Sequence, residues 1–191
     1  MIITANAQPL ELLSNCWKEL RRGTVDRRHP FRFVTLASVR DKSPVQRTVV
    51  CRSISEQRHF LIYTDLRSGK CSEFEVNDIA SLLFYHPQKQ LQISCHCKVR
   101  IETDTDQTQT IWKAFPDHQK KDYNRLKDPG EALTAPQEGW DLKVNSGYQN
   151  FALIHCIPEK MDVLQLSRDG HLRLQFWQDD TAQWQGQWVA P

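Results

Sequence analysis

Between residues 33 and 102 the chain offers five runs of β-branched, aromatic and aliphatic residues, at 33–39, 45–54, 59–64, 79–86 and 90–102. Strand-like runs spaced this closely point to a small β-barrel. Arg40-Asp-Lys-Ser-Pro44 supplies a turn between the first two runs, and residues 68–76 form a short helix between the third and fourth. The last third returns to strand character at 151–158, 161–166, 172–177 and 184–189, with Asp169-Gly170 as a hairpin turn. Two stretches break the β pattern. Residues 9–22 read as an amphipathic helix: Pro9 suits its first turn, Leu10, Leu13, Trp17 and Leu20 recur at helical spacing, and Gly23 is the expected stop. From Thr103 to Lys127, Asp104 and Asp106 suit a helix start and Pro116 a break, and a surface loop rich in proline, glycine and charge runs on to Ser146. The expectation is one mainly β domain over 1–191 with peripheral helices: a helix at about 9–22, a barrel at about 31–102 and 151–191, and an insertion at about 104–146.

A length of 191 residues suits a single core of this kind. The formal charge of +2, from 25 basic and 23 acidic side chains, offers no general attraction to nucleic acid or to a membrane surface. An oligonucleotide-binding barrel using Phe84, Tyr85 and Trp177 would call for a basic surface that the composition lacks. No run approaches the roughly 20 apolar residues of a membrane span, and no basic segment leads into an apolar one, so the expected location is cytoplasmic. Six cysteines are then expected to be reduced core residues. Cys95-His96-Cys97 has metal-ligating residue types, but in a strand the thiols take one face and the imidazole the other. No metal site is expected.

Two segments carry chemistry. Arg47-Thr-Val-Val-Cys-Arg52 and Tyr63-Thr-Asp-Leu-Arg-Ser-Gly-Lys70 deliver cations and hydroxyls from strand-like stretches to one region. Thr64, Ser68 and the amides of the following helix can donate to phosphate oxygens that Arg47 and Lys70 neutralise. A phosphorylated cofactor needs such a set. The alternative is a pair of solvated strands with scattered surface charge.

The same motifs, followed by Ala80-Ser-Leu-Leu-Phe-Tyr85 and Gln90-Leu-Gln-Ile, resemble the pyridoxamine 5′-phosphate oxidase-like FMN-binding split-barrel proteins. Thr64-Asp-x-Arg-Ser-x-Lys70, Trp112 and Phe115-Pro116 are closer to the oxidase-related branch common in cyanobacteria than to the housekeeping oxidase. The resemblance covers about residues 30–191 and is strongest over 45–95. It implies an FMN-binding split β-barrel, an FMN cofactor, a homodimer with flavin sites between subunits, and hydride transfer. It assigns the phosphate to Arg47 and Lys70 with Thr64, Arg67 and Ser68 nearby, the ring's flank to Thr48, Val49 and Val50, and a cofactor contact to Tyr63. Gln90 and Arg173 would reach the flavin from the partner subunit. Each of the last three has an alternative: Tyr63 as a core aromatic, Gln90 as a strand-edge residue, Arg173 as a solvated hairpin arginine.

The chain also departs from the family. Gly69 stands where the oxidase has an arginine before its phosphate-binding lysine, and the nearest arginine is Arg67. The oxidase's late Arg-x-His-x-Arg becomes Asp169-Gly-His171-Leu-Arg173, Leu164 replaces a tryptophan near the flavin, and Arg52 replaces a substrate-phosphate lysine. An aspartate for an arginine repels a phosphorylated vitamin, so the expected substrate is not pyridoxamine phosphate. His171 and Arg52 are the candidate catalytic groups, with an exposed structural histidine as the alternative for His171. A flavin- or haem-binding carrier or sensor without turnover is the competing reading.

Overall fold

The computed structural model describes residues 2–143 and 147–191, and its strands form one antiparallel sheet. They are β1 (Phe33–Arg40), β2 (Ser43–Val50), β3 (Ser53–Ile54), β4 (Phe60–Asp65), β5 (Ile79–His86), β6 (Leu91–Glu102), β7 (Phe151–Gln165), β8 (Leu172–Gln178) and β9 (Trp184–Val189). Their order is β2-β1-β5-β6-β7-β4-β3, with β8 beside β7 and β9 beside β8. The long strand β7 makes the closure possible. Its residues 151–156 pair with β4 and its residues 160–165 with β8, while β6 runs along its other edge. A register shift between His96 and Cys97 lets this ribbon bend, so Pro158 continues the strand expected to stop there. Neither β2 nor β3 gains a further strand partner on its far edge among the described residues, and the barrel is split on that side.

Strand alternation sorts the side chains. Val34 and Leu36 of β1, Leu82 and Phe84 of β5, Ile93 and Cys95 of β6, and Met161 and Val163 of β7 fill the interior, each at most 2 % exposed. Phe84 is therefore core, and only Tyr85 of that pair faces outward. Cys95 and Cys97 are buried and His96 is exposed, the alternation expected of a strand. All six cysteines are free and buried.

Helix α1 (Pro9–Val25) covers one end of the barrel with Leu12, Leu13, Cys16, Trp17 and Leu20, and Trp17 stacks on Phe60 at 5.5 Å. Gly23 does not stop it. A Cβ there would lie 2.7 Å from the Phe31 Cβ, so glycine lets the helix lie against the following chain. The buried Glu19 ties α1 to the rest through His29 Nε2 at 2.9 Å and through Lys89. No helix among the described residues is long and apolar enough to cross a membrane.

Other boundaries shift for local reasons. The β1–β2 turn tightens to Asp41 and Lys42, both with positive φ, and Pro44 pairs with Val39 inside the hairpin. The run 45–54 breaks at Cys51-Arg52, where the Cys51 amide bonds to Arg32 and the Arg52 amide to Leu61. There the chain leaves β1 for β4. Helix α2 (Gly69–Val76) follows β4. Helix α3 (Asp106–Ala114) is capped by Thr105, which exchanges hydrogen bonds with Thr108, because Asp104 takes a left-handed conformation. It ends before Phe115-Pro116, as proline requires, and the short α4 (Asp117–Lys120) follows. Beyond it lie 3-10 turns at Lys121–Tyr123 and Pro136–Trp140; residues 144–146, the end of the expected loop, lie outside the described residues. The insertion rests on the sheet through a second cluster in which Trp112, Phe115 and Tyr123 surround Phe151.

Candidate functional site

Where β4 runs out at Asp65 the chain turns sharply into α2, with Ser68 in the cap position. The turn folds the hydroxyls of Thr64 and Ser68 to within 3.3 Å of each other. Lys70, in the first turn of α2, curls back and donates from Nζ to Thr64 Oγ1 at 2.8 Å and to Ser68 Oγ at 2.7 Å. Burial pushes the Lys70 ammonium below the usual lysine range, and the neighbouring Arg47 pushes it the same way. No carboxylate lies within ion-pair distance of it among the described residues. A desolvated ammonium held only by neutral hydroxyls, with one N–H unused, suits an anion.

Arg47 approaches from β2. It pairs with Leu36 across the hairpin, so its side chain lies on the inward face with Ser38. Arg47 donates to Ser38 Oγ through Nη1 and to Glu73 Oε2 through Nη2, the latter at 2.6 Å. Ser38 also donates to Glu73. Arg40, at the end of β1, completes the group with Nε and Nη2 on Glu73 Oε1 at 2.9 and 2.6 Å. Burial by itself would raise the Glu73 carboxyl, but hydrogen bonds from Ser38, Arg47 and Arg40 hold it below the usual carboxylate range. Arg47 keeps Nε–H and one N–H on each terminal nitrogen for a further acceptor. Two guanidiniums on one carboxylate, with the Lys70 ammonium nearby, leave a net charge near +2 and free donors on Arg47 and Lys70. These residues fit a phosphate monoester.

Arg47, Thr64, Ser68 and Lys70 thus come together as the sequence suggests. Thr48, Val49 and Val50 continue β2 from Arg47: Val49 packs on the core, its neighbours Thr48 and Val50 turn to the other face, and as an edge strand β2 directs alternate amides and carbonyls away from β1. Tyr63 points from β4 into the second aromatic cluster, 5.5 Å from Phe115 and 5.6 Å from Phe151. The Arg52 guanidinium lies 5.3 Å from the Tyr63 ring centroid and makes no ion pair among the described residues. Arg67 is engaged by Asp65, at 2.7 Å, and by Asp128 and the Arg125 carbonyl, which ties the α2 turn to the insertion.

The remaining candidates sit elsewhere on the protomer. Gln90 is not in β6; it closes the β5–β6 turn with φ of 48°. Arg47 is level with Leu36 and Leu82, and β5 continues to His86 before that turn, a separation of about 14 Å at strand spacing. Arg173 of β8 makes a double contact with Asp162 at 3.0 and 3.2 Å, and Gln175 holds the same carboxylate. Leu164, opposite Arg173 and Gln92, lies at that end too. His171 accepts from the Ser167 amide in the exposed β7–β8 turn, beside Asp169.

Sequence reasoning passed over Glu73, Ser38 and Arg40. Two signals were present: Ser38 is a polar residue at an inward position that follows the apolar inward residues Val34 and Leu36, and Glu73 lies one helical turn beyond Lys70.

Residues 14–103 match the family model for pyridoxamine 5′-phosphate oxidase, FMN-binding domain. Among solved structures, the chain is similar to a pyridoxamine 5′-phosphate oxidase-related, FMN-binding protein from Nostoc punctiforme, at 19 % identity and a TM-score of 0.76 over 92 % of this chain and 96 % of that one. It is also similar to PhzG from Burkholderia lata in complex with tetrahydrophenazine-1-carboxylic acid, at 17 % identity and a TM-score of 0.75 over 98 % and 95 % of the two chains. General Stress Protein 26 from Bacillus anthracis follows at 16 % identity and a TM-score of 0.51, over 76 % and 91 %. No curated protein matches the chain.

Proposed function

We propose that this chain, whose residues 14–103 match the family model for the pyridoxamine 5′-phosphate oxidase FMN-binding domain, seats the FMN phosphate between Arg47 and Lys70 and acts as an oxidoreductase on a substrate other than pyridoxamine phosphate. The observation that carries this reading is Lys70, a half-buried cation whose partners among the described residues are the Thr64 and Ser68 hydroxyls. When bound, FMN supplies the hydride chemistry; the protein supplies placement and charge. Arg47 and Lys70 neutralise the phosphate, and the free edge of β2 offers backbone groups to the ring. Arg52, poised over Tyr63 and without an ion pair among the described residues, supports one anionic group on the substrate. With Asp169 where a second clamp would need an arginine, a phosphorylated vitamin is disfavoured.

The sites lie between two copies of the chain. The outward faces of the neighbouring strands β1 and β5 leave Phe33, Val39, Ile79, Leu83 and Tyr85 exposed together, a patch suited to a second sheet. Pairing there lets Gln90 and Arg173 serve the partner's flavin, not their own protomer's. Arg47→Ala and Lys70→Ala are expected to abolish FMN uptake by the purified protein, read by flavin fluorescence quenching, with an unchanged circular dichroism spectrum. Unchanged affinity in both variants refutes the site.

A second reading, a flavin-binding protein without turnover, is favoured by one observation: the Arg173 charge is already met by Asp162. Anaerobic reduction of the bound flavin separates the two. An oxidant that reoxidises it faster than oxygen does supports an enzyme.

A further inference from the structure

We infer that Arg40 is a third phosphate-binding cation and that residue 69 is glycine in order to admit it. This deepens the FMN reading above and rests on it. Gly69 opens α2 with ordinary helical backbone; the glycines with positive φ among the described residues are Gly130, Gly147 and Gly170. Its conformation therefore does not call for glycine, and glycine in a helix costs about 1 kcal/mol relative to alanine. What calls for it is space. A Cβ on residue 69 would lie 2.9 Å from Arg40 Nη2 and 3.8 Å from its Cζ, closer to the former than side-chain carbons approach. The guanidinium lies against Gly69 at the first turn of α2.

Arg40 is also held there. Its Nε and Nη2 grip Glu73 Oε1, and the other oxygen of the same carboxylate holds Arg47. One buried carboxylate thus fixes two guanidiniums, one on each of its oxygens. With Glu73 satisfied, Arg40 retains both N–H groups of Nη1 and one of Nη2. Its side chain is 56 % exposed, open to a ligand arriving from outside. The adjoining cleft of about 320 Å³ is lined by Arg40, Gly69 and Ser72 with the carboxylates of Glu73 and the exposed Asp41, so it is the outer approach to Arg40, distinct from the Arg47 and Lys70 side. The charges agree with this role: Arg40, Arg47 and Lys70 less Glu73 give +2, which balances a phosphate monoester of about −1.5 to −2 at neutral pH. Without Arg40 the pocket is left at +1.

The test is a fluorescence titration of apo-protein with FMN and, separately, with riboflavin, which lacks the phosphate. Arg40→Ala is expected to weaken FMN binding about tenfold, the loss of one charge-assisted contact, with riboflavin binding unchanged. Gly69→Ala is expected to weaken FMN in the wild-type background by displacing the guanidinium, and to add no further loss in the Arg40→Ala background. An FMN affinity within twofold of wild type for Arg40→Ala overturns the inference, as does an equal loss for riboflavin or full additivity of the two changes. A wild-type protein that takes up no FMN overturns the parent reading instead.

Discussion

Replacing Glu73 by glutamine keeps the side-chain shape and removes the charge on which the pocket is organised. Glu73 is 5 % exposed and accepts from Arg40 Nε and Nη2, Arg47 Nη2 and Ser38 Oγ. A glutamine has one acceptor oxygen, and its amide N–H groups would face guanidinium donors. Water can replace what Arg40 loses, because more than half of that side chain is exposed, so its share is small. Arg47 is only 20 % exposed and Ser38 is buried, so their losses stand. The expected cost is about 2–3 kcal/mol, below the range for a fully buried pair because one partner is solvated. For a chain of this length that is a fall in Tm of roughly 5–10 °C. The assay is thermal unfolding of apo-protein, so that ligand linkage does not contribute. The pH dependence provides a second reading of the same cause. The hydrogen bonds to Glu73 outweigh burial and hold its carboxyl below the ordinary 4.5. A carboxyl depressed in the folded state contributes stability in full above its unfolded pKa and loses it as pH falls through the folded value. The gap between wild type and variant is therefore full at pH 7 and shrinks below about 4.5. A variant melting within 2 °C of wild type at pH 7, or a gap that does not narrow before acid unfolding, refutes the reasoning.

Gly23→Ala is expected to destabilise the protein by about 1–2 kcal/mol although alanine is the better helix former, because the added methyl meets Phe31 at 2.7 Å; a rise in denaturation midpoint refutes the close-packing account of that glycine. The cysteines are expected to be inert in the native state, since burial pushes the Cys16 and Cys51 thiols up to about 12 and raises the other four as well. Ellman's reagent at pH 8 should find no fast thiol before denaturation and six after it, and one native thiol reacting at the rate of free cysteine refutes this.

What the sequence made legible, and what it did not, follows from the range of the forces involved. Period-two alternation is local, so β5 was placed at 79–86 to the residue, and the faces of Cys95, His96 and Cys97 were assigned from sequence alone. The breaks were harder, because they answer to partners distant in sequence. Val45 to Ile54 reads as one strand, and nothing within it announces that Cys51 must still bond to Arg32 while Arg52 already bonds to Leu61. Gly23 has the composition of a stop, and only the return of Phe31 against the helix makes it a packing residue. The pocket divides in the same way. Thr64, Ser68 and Lys70 lie within seven residues, so a single turn assembles them and their chemistry is readable in the primary structure. Glu73, Ser38 and Arg40 join only when β1 is laid against α2, 33 to 35 residues apart in the chain. Gly69 shows the consequence. Read along the chain, it is a cation lost from the phosphate motif; with β1 in place, it is the space through which a cation from another strand enters.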